Sequence, residues 1–255
     1  MAVLIEYDGS AYSGSQYQDN GPSIQSELEA SIEKLTGAFA RAAFAGRTDA
    51  GVHALGQVAA FDVESTLRLD EFVRGLNHFL PEDIAVLVAK DVAREFDPRR
   101  HARNRVYRYE IDARAVRSPL RRNRAWHVGR PLDVQAMQRA ARALEGAHDF
   151  AAFAPPFDGL TKRTLRRCEI SERGCGRVAL EMEAEAFLPH QVRRTAGPMV
   201  EIGLGRMTEE QLMALLEGAV PSTVGPAAPA CGLYLARIEY DGLAFGPESG
   251  NGRDG

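Results

Sequence analysis

Three residues in the stretch AGRTDAGVHA, residues 45–54, carry chemistry at close spacing: Arg47, Asp49 and His53. Asp49 and His53 stand at i and i+4, which could set two metal ligands on one helix face. Gly51 lies between them, however, and no third ligand is near in sequence. A carboxylate in this setting also suits a turn beside glycine, or a nucleophile. Arg47 fits a surface ion pair with the acid, worth under about 1 kcal/mol. On these residues alone the turn is the simplest reading, because aspartate close to glycine is common in turns. The rest of the chain adds no competing catalytic pattern. His101, His127, His148 and His190 are scattered without ligand spacing, and the chain contains no G-x-x-x-x-G-K-[ST], no dinucleotide fingerprint and no G-x-S-x-G.

Periodicity and punctuation define the elements that must hold these residues. An apolar strand, Val3 to Tyr7, closes at the Asp8-Gly9 turn, and Gly14 with Gly21-Pro22 keeps residues 8–22 in a loop. After Ser23, the residues Ile24, Leu28, Ile32 and Leu35 recur at helical spacing, and Gly37 stops the helix. Gln57 to Val63 reads as a buried strand. Asp70 is the expected N-cap of a helix carrying Phe72, Val73, Leu76 and Phe79, and Ile84 to Val88 is a further strand. A second half follows. Val106 to Ile111 is a strand, and Asp133 caps a helix carrying Val134, Met137, Ala141 and Leu144, stopped by Gly146. Thr164 to Ser171 and Arg177 to Phe187 are strands. In the latter, Val178, Leu180, Met182, Ala184 and Ala186 alternate with Glu181, Glu183 and Glu185, a period of two that requires one buried face. His190 to Ile202 is helical, with Pro198 expected to start, kink or split it. Thr208 with Gln211 forms a capping box for a helix through Leu212, Leu215 and Leu216, and Gly232 to Tyr240 is the last strand. The tail after Gly242 is expected to be disordered. The pentapeptide IEYDG occurs twice, at Ile5 to Gly9 and Ile238 to Gly242, at opposite chain ends, and reads as a coincidence of strand-to-turn sequences.

The chain of 255 residues is long enough for one large domain or two packed subdomains, and its 45% hydrophobic and 26% charged residues are those of an ordinary globular protein. No run of 18 apolar residues suggests a membrane span, and the N-terminus lacks a basic region followed by an apolar core. Three scattered cysteines, Cys168, Cys175 and Cys231, form no Cys-x-x-Cys, which argues against a disulfide framework or zinc site and fits a reducing cytoplasm. The net charge is −4, but residues 94–124 hold 11 arginines against 4 acids. A cationic strip inside an acidic protein is expected either to contact phosphate or to form a solvated face.

Several segments together resemble one family. GRTDAGVHALGQVAAF (Gly46 to Phe61) resembles the signature of the TruA-type tRNA pseudouridine synthases. In the same order, YDGSAYSGSQYQ (Tyr7 to Gln18) resembles that family's opening loop, and NRVYRYEI (Asn104 to Ile111) its arginine-and-tyrosine strand. AWHV with ALEGAHDFAAF resembles its middle segment, AFLPHQVRRTAGPMVEIGLG (Ala186 to Gly205) its third active-site motif, and APACGLYL (Ala228 to Leu235) its closing one. The likeness spans residues 5 to about 240. Two departures stand: in the opening loop the family commonly has Gly-Trp-Gln where this chain reads Gly14-Ser15-Gln16, and in the third motif's helix Pro198 follows Gly197, where a kink is expected to shift the geometry.

The resemblance implies an α+β fold of two similar-sized α/β subdomains with mostly antiparallel sheets forming a continuous sheet and a catalytic cleft between them. The divisions expected are 1–103 for the N-terminal subdomain with the aspartate loop, 104–242 for the C-terminal one, and 243–255 for the tail. It implies isomerisation of uridine to pseudouridine in the anticodon arm of tRNA (tRNA positions 38, 39 and 40), with no cofactor and no metal, by a cytoplasmic homodimer with no membrane part. Asp49 maps onto the catalytic aspartate and Arg47 onto the arginine that holds the flipped-out nucleotide. Tyr107 maps onto the tyrosine packed against the base, Leu188 onto the apolar residue near the uracil, and Arg193 onto the arginine that ion-pairs with the aspartate. Attack at C1′, attack at C6 and charge stabilisation stay open. Candidate contacts to the RNA backbone are Arg99, Arg100, Arg103 and Arg105, with Lys162, Arg163, Arg166 and Arg167 as a second set. The rival readings are a pseudouridine synthase for another RNA and a tRNA-binding folding chaperone.

Overall fold

In the computed structural model, residues 1–19, 21–156 and 158–245 are described. In chain order the elements are β1 (Ala2–Tyr7), α1 (Ile24–Thr36), β2 (Ala43–Phe44), β3 (His53–Ala60), α2 (Leu69–Phe79), β4 (Ile84–Lys90), β5 (Ala102–Asp112), β6 (Trp126–His127), α3 (Val134–Ala143), β7 (Gly146–Asp149), β8 (Lys162–Glu172), β9 (Arg177–Ala184), α4 (Gln191–Gly203), α5 (Glu209–Gly218) and β10 (Leu233–Tyr240). The class is α+β; β1 pairs antiparallel with β3 and β4, β2 with β3, β9 with β5 and β8, and β7 with β8, while the short β6 pairs parallel with β5. Two compact units emerge: Met1–Arg103 joined by the chain from Leu235, and Asn104–Tyr234. Sequence alone assigns the last strand to 104–242. In the structure β10 from Leu235 onward instead belongs to the first unit, where β3 is one of its hydrogen-bonded neighbours.

In the first unit the strands run in the order β4-β1-β3-β10, with β2 added on β3. The core forms where α1 and α2 lay their apolar faces down: Ile24, Leu28 and Ile32 from one, Phe72 and Leu76 from the other, all fully buried with Val3, Ile5 and Val58. Ser23 caps α1 by accepting from Ser26 N–H, and Gly37 ends it in the left-handed region at φ 75°. The start of α2 differs from expectation. Arg68 is its N-cap, because Glu71 Oε2 accepts the Arg68 N–H at 3.0 Å, while Asp70 pairs with Arg74 one turn on. The strand expected over Gln57 to Val63 begins earlier, at His53, because Ala54 already pairs with Tyr7 of β1.

In the second unit the order is β5-β9-β8-β7, with β6 beside β5. Alternation in β9 sets Val178, Leu180, Met182 and Ala184 into the core with Met137, Leu144, Phe150 and Phe153. On the other face Glu181 receives Arg108 Nε at 2.8 Å and lies near Arg167 and Arg173. Burial pushes this carboxyl up, but the Arg108 hydrogen bond and the three guanidinium charges outweigh it and hold it below the usual range. β9 ends at Ala184, short of the expected Phe187, so that the chain turns to enter α4. α4 runs through Pro198 from Gln191 to Gly203 without interruption. Among the described residues no helix is long and apolar enough to cross a membrane. The expectation for the tail falls largely on residues 246–255, outside the described residues.

Candidate active site

The Gly46–His53 segment leaves β2 and returns into β3, and its first residue is stapled to β3. Gln57 on β3 uses its side-chain amide as a short strand: Nε2 donates to the Gly46 carbonyl at 2.7 Å and Oε1 accepts the Gly46 N–H at 3.3 Å. Beyond it, Val52 N–H donates to the Asp49 carbonyl at 3.1 Å, closing a tight turn with Gly51 at φ 76°.

Residues 7–15 of the opening loop clasp this segment along its length. Tyr7 OH is 2.8 Å from Thr48 Oγ1. Gly9 N–H donates to His53 Nδ1 at 3.1 Å. The Tyr12 carbonyl accepts from Gly51 N–H at 3.4 Å. Ser15 makes a reciprocal pair with Thr48: its N–H donates to the Thr48 carbonyl at 3.0 Å, and its Oγ accepts the Thr48 N–H at 2.9 Å. Two glycines permit this approach. A Cβ on Gly9 would stand 1.9 Å from the Val52 carbonyl oxygen, and one on Gly14, at φ 114°, 2.7 Å from that of Thr48. Within this frame Arg47 is exposed and Asp49 half-buried. His53 opens β3, is 1% exposed and accepts from a backbone N–H, so it does not share a helix face with Asp49 as the metal spacing requires.

In the second unit Tyr107 lies on β5 opposite Met182 and is buried, with Phe187 edge-on to its ring at 5.2 Å between centroids. Leu188 is buried beside it in sequence, and its N–H donates to Gln191 Oε1 at 2.8 Å. This bond sets the turn into α4, with His190 at φ 59°. Arg193 in the first turn of α4 donates from Nε to the Ala228 carbonyl at 2.8 Å, and Ala228 N–H returns a bond to the Arg193 carbonyl at 3.1 Å. The closing motif is therefore the strap that holds Arg193. Tyr109 OH donates to the Pro229 carbonyl at 2.8 Å and fixes the strap to β5. Each unit thus gathers its share of the predicted residues: Arg47 and Asp49 in the first, Tyr107, Leu188 and Arg193 in the second.

A family profile described as tRNA pseudouridine synthase matches residues 3–99 and 140–241. The chain belongs to the tRNA pseudouridine synthase family. Proteins named tRNA pseudouridine synthase A are 46% identical to it in Myxococcus xanthus, covering 94% of this chain and 91% of that one, and 46% identical in Pelobacter propionicus, covering 94% and 99%. Another so named, in Roseiflexus castenholzii, is 44% identical over 98% of this chain and 92% of its own length. Membership makes the chain an isomerase that converts uridine to pseudouridine in tRNA.

For such a synthase the arginines fall into two kinds. Arg103 pairs with Asp241, and Arg167 with Glu169, Glu181 and Glu183. The N–H groups of Arg99 and Arg100 bond Asp97 Oδ1 at 2.8 and 3.0 Å, which holds that carboxyl below the usual range; Arg100 gives the largest share. Both side chains are exposed, and the Arg100 guanidinium also reaches Asp97 Oδ2, Nε to oxygen at 3.6 Å. Arg105 donates to the Glu185 carbonyl, and Arg163 to those of Leu160 and Lys162. Arg163 and Lys162 line, with Thr164 and Glu185, a surface cavity of about 330 Å³. Lys162 and Arg166 are exposed. Sequence reasoning missed Tyr7, Gly9 and Ser15 as supports of the aspartate loop. The signal present was their place in the opening motif, without any sign of what that motif touches.

Proposed function

We propose that Asp49 is the carboxylate through which this synthase acts on an extruded uridine. A base within a stem hides C1′ and C6, so the nucleotide leaves the stack at a cost of a few kcal/mol. Arg47, exposed two residues before the acid, takes the vacated place and contacts phosphate. Tyr107 gives the uracil a flat face, Leu188 an apolar one, and Arg193 supplies the positive charge that keeps a carboxylate ionised once water is excluded. The N1–C1′ bond breaks, the uracil turns, C5 bonds C1′, and C5 loses a proton while N1 gains one. Atoms and electrons balance without a co-reactant. By the same reading the enzyme works in the cytoplasm as a homodimer on the anticodon arm, with phosphate contacts from the exposed arginines.

The observation that supports this is the clamped loop. Thr48 is held from both backbone sides by Ser15 while Asp49 stays half-exposed, a rigid support of the kind that preorganised catalytic groups need. The test is Asp49→Asn assayed by tritium release from tRNA carrying 5-tritiated uridine. Release is expected to fall to background while tRNA binding stays within about twofold of wild type, the size of a small electrostatic change. Release that survives the substitution overturns the role of Asp49. Wild-type protein that binds tRNA and never releases tritium would favour the chaperone reading.

A further inference from the structure

Beside the clamped loop the first unit exposes two aromatic rings around one guanidinium. Arg41 Cζ lies 5.7 Å from the Tyr17 ring centroid and 5.4 Å from that of Phe39. Tyr17 is 50% and Phe39 57% exposed, so neither serves the core. A buried polar pair on α1 fixes the backbone at Tyr17 and at Ala42, next to Arg41. Gln25 Oε1 accepts Tyr17 N–H at 2.9 Å, and Gln25 Nε2 donates to the Ala42 carbonyl at 3.2 Å and to Glu29 Oε1 at 2.8 Å. Glu29 Oε1 also accepts Ala42 N–H at 2.9 Å, and its Oε2 takes Arg41 Nη1 at 3.1 Å. Gln25 and Glu29 are both under one-tenth exposed. Burying a glutamine and a glutamate costs several hydrogen bonds that must all be made. Here the bonds to the Tyr17 N–H and to both backbone groups of Ala42 order the segments that carry Tyr17 and Arg41.

We infer that Tyr17, Arg41 and Phe39 form a stacking clamp for an unpaired base of the tRNA substrate. The inference rests on tRNA being the substrate and does not depend on which residue performs the chemistry. The guanidinium lies over both rings, and aromatic and guanidinium planes suit nucleobases, whose π faces accept both without hydrogen-bond readout. Position supports this occupant. Tyr17 follows Ser15, the residue bonded to Thr48, by two positions, and Arg41 precedes Arg47 by six. Six extended residues span at most about 20 Å, a reach of a few nucleotides from the reacting one. With Arg41 already neutralised by Glu29, stacking rather than phosphate attraction is what the cluster offers.

Tyr17→Leu and Phe39→Leu keep apolar bulk and remove the π face. Each is expected to raise KM for tRNA about fivefold or more, leave kcat at saturating tRNA and Tm unchanged, and leave the salt dependence of binding as in wild type. Tyr17→Phe should keep the wild-type KM. In an Asp49→Asn background, a Phe39→Trp indole should be quenched when tRNA binds. Unchanged KM in both leucine variants, with wild-type tritium release normal, overturns the clamp and leaves the proposed function standing. A reduced salt slope in either leucine variant would mean a lost phosphate contact and overturn it as well. So would a change of sedimentation coefficient without a change in KM, because a second protein chain would then cover the patch.

Discussion

Ser15→Ala tests whether the opening loop positions Asp49 or merely packs against it. The substitution removes one atom, Oγ, which accepts the Thr48 N–H at 2.9 Å. Ser15 is 1% exposed, so water cannot replace that acceptor and the side chain cannot touch RNA. A buried donor left without a partner costs about 1–3 kcal/mol. If the loop escapes by moving Thr48, the aspartate beside it moves too, and the same free energy appears as a smaller population of competent enzyme. At 1.36 kcal/mol per decade that is roughly a five- to 150-fold fall in kcat. KM for tRNA should stay near wild type. Tm should fall by about 2–4 °C per kcal/mol for a chain of this size. The assay is tritium release at saturating and limiting tRNA, with a melting curve on the same preparation. A fall in Tm with kcat intact would refute the positioning argument, since the loop would then hold Asp49 without Ser15. A rise in KM alone would refute it equally.

Other outcomes follow from the same contacts. Gly9→Ala forces a Cβ to 1.9 Å from a backbone carbonyl, so Tm should drop by an amount equivalent to about 1–3 kcal/mol with a loss of kcat; a neutral result by calorimetry would show that β1 and the aspartate loop separate freely. Asp112 is held below the usual carboxylate range chiefly by the Arg114 side chain, with burial opposing. A depressed folded pKa adds stability that is complete above about pH 4 and disappears as pH falls through the folded value. The Tm gap between wild type and Arg114→Ala should therefore narrow from pH 5 to pH 2.5, and a constant gap would exclude the pair. Burial pushes the Cys168 thiol far above its ordinary value while Cys175 is exposed, so a thiol reagent should label Cys175 in the native protein and Cys168 only after unfolding, as peptide mass mapping would read.

Much of the secondary structure was legible because its causes are local. Ser23, Asp133 and the Thr208–Gln211 pair each bond a backbone N–H within three residues, and the apolar spacing behind them needs no partner to be read. The strands β2, β6 and β7 were not legible. Each is two to four residues long and is a strand only because another strand lies beside it. The return of β10 to the first unit, across more than 130 intervening residues, has no local trace.

For the site, sequence by itself determined which residues carry the family's pattern, Asp49 and Arg47 foremost, and that Ser15 breaks it. Only the tertiary structure decided what Ser15 does. Its hydroxyl and its amide meet Thr48 across 33 residues of chain, and Gly9 and Gly14 matter because backbone from residues 48 and 52 presses on them. A motif records which side chains are present. The clasp between two motifs is a set of distances, and those exist only once α1 and the sheet have brought the loops together.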